Sequence, residues 1–160
     1  MPAAYILDTN VLTSFHAAGW FETLGSWPPA TPVVVSAAVW AEFQAYASRD
    51  QPDWLTVDDA ELDRIQSETP GALAPADWTC IALATDREDA RLVMNDQAVL
   101  RVASNRDLQA EWGTRFLLRI FQRCALSKPD LTAGEKTYIS DLGLTGEVAD
   151  AVRTAEKDDA

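Results

Sequence analysis

The stretch AYILDTNVL, residues 4–12, contains the pattern that decides the fold. Ala4 to Leu7 is a short apolar run that predicts a buried strand, and Asp8 follows it directly. The chain is apolar again from Val11 to Phe21, where we expect a helix. A strand that ends at a polar residue and leads into a helix is typical of parallel α/β sheets. The stretch therefore predicts a parallel sheet with Asp8 at the carboxyl end of its first strand.

The alternation of strands and helices continues along the chain and favours an α/β protein whose sheet is covered on both faces. Further strands are predicted at 32–36, 54–57, 91–94 and, more weakly, 108–112. Helices are predicted at 37–48, from Asp58 or Asp59 to about 67, and at 76–85, 97–104 and 113–126. After Pro129, two short helices are expected at 132–142 and 147–155.

Length and charge restrict the classes of protein that the chain can represent. A chain of 160 residues predicts one domain, residues 1–160. The 25 acidic and 13 basic residues, a net charge of −12, exclude a uniformly basic nucleic-acid binder but not a local basic site. An Asp-rich, Lys-poor surface is typical of salt-adapted proteins; an ordinary acidic protein is the alternative.

We expect a cytoplasmic protein with no membrane partner. No apolar run approaches the length of a membrane span, and the N-terminus lacks the pattern of a signal peptide. Cys80 and Cys124 lie among apolar neighbours, which indicates two buried free thiols.

Four acidic residues stand where parallel strands and their following helices meet. Asp8 and Asp96 each follow a predicted strand, Glu42 lies about a turn and a half into a helix, and Asp77 lies in a first helical turn. Ligands of open parallel sheets bind beyond the carboxyl ends of the strands. If the first and fourth strands are neighbours, all four acids could share one cleft.

A cluster of four carboxylates cannot stay ionised without a counter-ion, and oxygen-only ligands favour Mg²⁺ or Mn²⁺. Such an ion could activate a water for phosphodiester hydrolysis. Each acid also has a simpler interpretation. Asp8 and Asp77 could be helix caps, Glu42 a solvent-facing acid and Asp96 a turn residue.

The arginines are concentrated in one part of the chain, since residues 87–123 carry 7 bases and 5 acids. Three of them, at i, i+4 and i+8 of one predicted helix, form a stripe that could contact RNA phosphate or an acidic partner. A solvated face with Glu111 paired to Arg115 is the alternative. The stripe consists of Arg115, Arg119 and Arg123, and Arg101, earlier in the same block, is a further candidate for this contact.

Six tryptophans are many for this length. Trp20 and Phe21, near Trp27, could form an exposed patch for a second subunit or an antitoxin segment. Plain core packing is the interpretation that we favour for them.

Several segments together resemble the PIN domain family of metal-dependent ribonucleases, in particular a subgroup related to VapC-type toxins. YILDTNVL at 5–12 resembles the first motif of the family. VVVS at 33–36 with VWAE at 39–42 resembles the second, ADWTCIALA at 76–84 the third, and LVMND at 92–96 the fourth. Residues 112–118 and 124–126 are similar to a distal segment of that subgroup.

The resemblance implies a three-layer α/β/α sandwich with a parallel five-stranded sheet of order 3-2-1-4-5. Its core would span residues 4–126, with 127–160 as a C-terminal helical extension. It also implies a Mg²⁺ or Mn²⁺ ribonuclease, an RNA substrate, an antitoxin partner and a homodimer. The implied metal-binding and catalytic acids are Asp8, Glu42, Asp77 and Asp96, supported by Thr9, Asn10 and Asn95.

The sequence departs from the family at Met94, where members often have Thr or Ser. A phosphatase with an aspartyl nucleophile is disfavoured because Asn10 stands where its second Asp would be. A receiver domain is disfavoured because no lysine precedes Lys128. A catalytically silent PIN domain that binds nucleic acid or serves as a scaffold is the main alternative.

Overall fold

The computed structural model describes residues 2–26, 31–59, 73–122 and 127–142. These residues contain five strands, all parallel and ordered β3-β2-β1-β4-β5, which confirms the predicted fold class. The strands are β1 (Ala4–Leu7), β2 (Val33–Ser36), β3 (Leu55–Asp58), β4 (Ala90–Met94) and β5 (Gln109–Trp112).

Helices follow most of the strands, as the alternating pattern predicts, and those at 37–47, 75–86 and 97–105 begin and end within one residue of the predicted positions. The described helices are α1 (Thr9–Ala17), α2 (Thr23–Ser26), α3 (Ala37–Ala47), α4 (Pro75–Asp86), α5 (Gln97–Asn105), α6 (Gly113–Gln122) and α7 (Lys128–Leu142). None of those in the described ranges has the length and apolar character needed to cross a membrane.

Two helix boundaries differ from the prediction for identifiable reasons. Helix α1 ends at Ala17 rather than Phe21, because Gly19 adopts φ +83° and turns the chain there. Helix α7 begins at Lys128 rather than Thr132. Its Pro129 lies in the first turn, where a missing N–H breaks no helical hydrogen bond. The Ser127 hydroxyl accepts from the backbone N–H of Asp130 at 3.2 Å and so caps this end.

Several predictions fall outside the described residues. They are the part after residue 59 of the helix predicted from Asp58 or Asp59 to about 67, the helix predicted at 147–155, and the positions of Trp27, Arg123 and Cys124.

Helices cover both faces of the sheet. The rings of Tyr5 in β1 and Phe116 in α6 lie 4.9 Å apart, and Phe15 of α1 packs on the same Phe116. Side chains alternate along a strand, so Ser36 of β2 faces the other side, where it bonds Thr79 of α4. All the residues of β1 and β2 are buried, which accounts for their continuous apolar sequence.

Helix α7 packs on the sandwich through Trp20. This side chain is 1% exposed, and its indole N–H donates to the carbonyl oxygen of Asp130 at 2.9 Å. Its ring also contacts Phe15 and Tyr138. Phe21 is 3% exposed. Core packing of Trp20 and Phe21 is therefore confirmed, and the exposed patch at these two residues is wrong, because the turn after α1 directs both side chains inward.

Gly134 in α7 tests this contact. A Cβ there would lie 2.6 Å from the Trp20 ring and would also meet the Ala18 carbonyl oxygen. Gly→Ala in an open helix stabilises by roughly 1 kcal/mol. We instead expect Gly134→Ala to lower the free energy of unfolding by about 1–3 kcal/mol through overpacking. Urea denaturation measures this, with exposed Thr137→Ala in the same helix as the control. A stabilised Gly134→Ala would contradict the contact.

Candidate active site

Asp8 lies at the carboxyl end of the central strand and is only 2% exposed. It is the N-cap of α1, where its Oδ1 accepts from the backbone N–H of Val11 at 3.0 Å. The backbone N–H of Asn95 donates to the same carboxylate. The carboxylate thus has a fixed orientation at the point where β1 and β4 end.

Asp96 and Asp77 are each held by a helix N-terminus. Asp96 is the N-cap of α5 and accepts from the backbone N–H of Ala98 at 2.7 Å. Asp77 is the third residue of α4, and its carboxylate accepts from the backbone N–H of Ala74, the N-cap residue. The capping interpretation is therefore correct for Asp8 and wrong for Asp77, because the N-cap of α4 is Ala74. Asp96, for which a turn was the simpler interpretation, instead caps α5. A capping role does not compete with a shared site.

Glu42 is exposed on α3, and its Oε2 accepts from the Thr9 hydroxyl at 2.9 Å. This bond spans from the start of α1 to α3 and orients the Glu42 carboxylate toward the end of β1. Asn10, the neighbour of Thr9, is exposed on α1. Thr9 thus orients one of the predicted acids, and its supporting role in a site stays a prediction.

The four acids interact electrostatically. The pKa of Asp8 is raised to about 7, mainly by burial and to a smaller extent by the charges of Asp77 and Asp96, although the bonds from Val11 and Asn95 lower it. The pKa of Asp77 is raised by burial, then by Asp96, with a smaller contribution from Glu42. Each acid is thus near at least one other. Like charges in such proximity favour protonation or a bound cation.

Cys80 lies beneath these acids. It is fully buried in α4, with its Sγ 4.0 Å from the Leu7 carbonyl oxygen. Its pKa is raised well above the usual range by burial, and further by Asp8, Asp77 and Glu42. Three acids on different elements are therefore close enough to this thiol to affect its pKa. The thiol stays protonated there and is no nucleophile.

Asn95 joins the site to β5. Its Oδ1 accepts from the backbone N–H of Gly113 at 3.0 Å, and its buried Nδ2 has no hydrogen-bond partner among the described residues. A Cβ on residue 113 would lie 2.6 Å from that Oδ1, so only glycine permits this approach. Asn95 thus contacts Asp8 through its backbone and Gly113 through its side chain, and its supporting role in a site stays a prediction.

Sequence reasoning did not identify Ser36 and Thr79. Ser36 caps α3 by accepting from Val39 N–H at 3.0 Å, and its hydroxyl lies 2.6 Å from the Thr79 hydroxyl of α4. This buried pair connects the helix of Glu42 to the helix of Asp77. A serine between a β-branched strand and a helix is a readable capping signal. The contact of Ser36 with Thr79, 43 residues further along the chain, has no such signal in the sequence.

The donor set fits a hard cation in its chemistry, since all four side chains offer carboxylate oxygens. In the described ranges, however, no three His, Cys, Asp or Glu side chains form a group that could hold an ion in common. The acids therefore share an electrostatic environment, and their arrangement is not that of a closed coordination shell.

The arginines predicted to bind RNA or a partner differ in their exposure and in their ion-pair partners. Arg101 and Arg115 are exposed on α5 and α6. Arg119 binds Glu111 through two hydrogen bonds, of 2.6 and 2.7 Å. The pairing of Glu111 with Arg115 is therefore wrong. The partner of Glu111 is Arg119, one turn further along α6, and its side chain lies over the sheet face from which Glu111 projects.

Comparison with known proteins gives one family. Residues 4–128 match the family model described as PIN domain. This range includes all four acids and every strand of the sheet. No curated protein matches the chain.

The raised pKa of Asp8 predicts a pH dependence of stability. Folded Asp8 binds a proton below about pH 7, whereas the unfolded residue does so only near its ordinary value of 3.8. The free energy of unfolding therefore falls as pH rises from 4 to 7, by up to about 4 kcal/mol at 1.36 kcal/mol per pKa unit. Asp8→Asn keeps a good N-cap and removes this loss.

Urea denaturation in EDTA at pH 5 and pH 8 measures the effect. We expect Asp8→Asn to gain stability relative to the native chain between these two pH values, whereas exposed Asp86→Asn does not. An equal difference at both pH values would contradict the assignment.

Proposed function

We propose, on the premise that the chain belongs to the PIN domain family, that it is a metal-dependent endoribonuclease. Members of this family are generally nucleases, which places the chain among the hydrolases. The observation that carries the finer proposal is the mutual electrostatic effect of Asp8, Asp77, Asp96 and Glu42. Such acids persist together where a cation offsets their charge.

The proposed cation is Mg²⁺ or Mn²⁺, held by Asp8, Glu42, Asp77 and Asp96. When bound, such an ion lowers the pKa of a water and offsets charge on the phosphate. The chain supplies orientation. Two backbone N–H groups hold the Asp8 carboxylate, Ala98 N–H holds Asp96, and the Thr9 hydroxyl holds Glu42. Preorganised ligands of this kind need little reordering when substrate binds.

The biological role that we propose is the toxin of a toxin–antitoxin pair, acting in the cytoplasm on RNA, as a homodimer with an antitoxin partner. It is supported by the resemblance of residues 112–118 to the VapC-related subgroup. We further propose that residues 1–160 form one domain, with 127–160 packed on the core; burial of Leu131 and Tyr138 in α7 supports this.

One observation favours a second candidate, a catalytically silent PIN domain that binds nucleic acid or acts as a scaffold. The described acids do not form a closed group for an ion. The two candidates differ in whether the acids bind a divalent cation and whether RNA is cut.

RNA cleavage with Mn²⁺ tests the enzyme. We expect Asp8→Asn and Asp96→Asn each to reduce the cleavage rate by about 100-fold or more, because each variant loses a ligand of the proposed ion. Asp86→Asn, at the far end of α4, serves as the control with the same charge change. Equal cleavage by all of the variants would exclude the proposed site.

Metal binding is tested without activity by thermal denaturation. We expect Mn²⁺ at about 100 times its Kd to stabilise the native chain by about 2.7 kcal/mol, and Asp8→Asn and Asp96→Asn far less. A Tm that is insensitive to Mn²⁺, together with absent cleavage, would support the silent candidate instead.

A further inference from the structure

An arginine-lined cavity lies on the side of the sheet that ends in β5. It is open, has a volume of about 540 Å³, and lies between β5, α6 and the start of β4. Its charged lining consists of Arg91, Glu111, Arg115 and Arg119. Three guanidinium groups against one carboxylate make this cavity positive in a chain whose net charge is −12. An anionic ligand would therefore be attracted to this place on an otherwise acidic protein.

Glu111 organises the cavity. It is 7% exposed, so its carboxylate needs charged partners, and Arg119 supplies two hydrogen bonds while Arg91 lies 3.9 Å away. Arg119 also donates to the Tyr5 hydroxyl at 3.4 Å. These contacts hold two of the three guanidinium groups before any ligand binds. Preorganisation of this kind reduces the entropy lost on binding.

Arg115 is the arginine of the cavity that is available to bind an anionic ligand. It is exposed in the first turn of α6, and the structure gives it no ion-pair or hydrogen-bond partner in the described part of the chain. A guanidinium group offers five N–H donors and can bind a phosphate through two parallel hydrogen bonds. Gln109, also in the lining, adds an uncharged amide. The cavity thus combines a positive, fixed wall with one arginine that is ready for an anion.

Trp112 provides an aromatic surface at the same edge. Among the described residues, the large hydrophobic side chains that stay exposed are Tyr46 and Trp112, the latter at 38%. Trp112 ends β5 in register with Met94, and Asp96 follows Met94 by two residues. The tryptophan therefore lies at the carboxyl rim of the sheet, where the acids are. Within the described ranges β5 pairs with β4 alone, so no strand covers its outer edge.

From these features we propose that the outer edge of β5 binds single-stranded RNA. A backbone phosphate is held by Arg115 in the arginine cavity, and a neighbouring base stacks on Trp112. Side chains alternate across a strand, so Glu111 with its arginines and Trp112 lie on opposite faces of the sheet, and the RNA crosses the edge of β5 to contact both. The proposal rests on the proposed function, since it supplies the surface that leads a substrate to the acids.

The tryptophan favours RNA with unpaired bases over an acidic peptide. An acidic peptide would use the arginines but gain little from an exposed indole. Unpaired bases stack on aromatic side chains regardless of sequence, and double-stranded RNA keeps its bases inaccessible to such stacking. Because Trp112 lies at the carboxyl rim, RNA stacked on it would lead toward the candidate active site.

The test is fluorescence anisotropy of a short labelled oligouridylate in EDTA, where no cleavage occurs. We expect Trp112→Ala to weaken binding by about tenfold, the scale of one base–aromatic stack, and Trp112→Phe to retain most of it. We expect Arg115→Ala to weaken binding and to reduce the slope of log K against log salt by about 0.7. Tyr46→Ala and Lys136→Ala, which are exposed elsewhere, are matched controls and should bind as the native chain does.

Three results would overturn the proposal. One is no oligouridylate binding by the native chain, the second is unchanged binding by both edge variants, and the third is equal loss in the two control variants. Displacement by an acidic peptide but not by unlabelled RNA would identify a protein partner and also overturn it. A Tm that matches the native chain excludes misfolding as the cause of any loss.

The same samples separate this proposal from the proposed function. Edge-dependent RNA binding with no cleavage in Mn²⁺ would contradict the nuclease and leave the edge site standing. Cleavage that depends on Asp8, with normal binding and cleavage by the edge variants, would contradict the edge site alone.

Discussion

The parallel pairing of β1 with β4 is the contact on which the site depends. Leu7 pairs with Val93, and the backbone N–H of Asp8 donates to the Val93 carbonyl oxygen at 3.1 Å. This register ends both strands at the same rim and places Asn95 N–H on the Asp8 carboxylate. A shift of one residue in either strand would remove that bond and turn every side chain of the strand to the other face. The buried apolar residues of β1 oppose such a shift.

The site shows how helix capping and charge repulsion are combined at this rim. Asp8 and Asp96 each stabilise a helix start, yet their charges, with that of Asp77, raise the pKa of Asp8. Burial is the larger cause of that rise. The fold therefore tolerates an unfavourable carboxylate at its centre, which is typical of sites that serve a ligand more than stability. The Ser36–Thr79 pair keeps the helices of Glu42 and Asp77 together against this repulsion.

At β5, in contrast to the cluster of acids, basic side chains outnumber acidic ones. There a single buried carboxylate, Glu111, meets two arginines, and the result is a preorganised positive cavity wall. Both charge clusters lie within one small sandwich, separated by the sheet edge and by Asn95 with Gly113. Their opposite signs are complementary to the metal and the phosphate backbone of the proposed reaction.

The sequence by itself determined the fold class and the four candidate acids. The reason is that strands, capping residues and apolar spacing act locally, and the chain order of a parallel α/β unit then places strand ends at one rim. Only the tertiary structure decided which partners those residues take. Glu111 binds Arg119 and not Arg115, Trp20 donates to the Asp130 carbonyl oxygen, and Ser36 lies against Thr79. Such contacts depend on how the helices lie over the sheet, and the spacing of residues along the chain does not determine that arrangement.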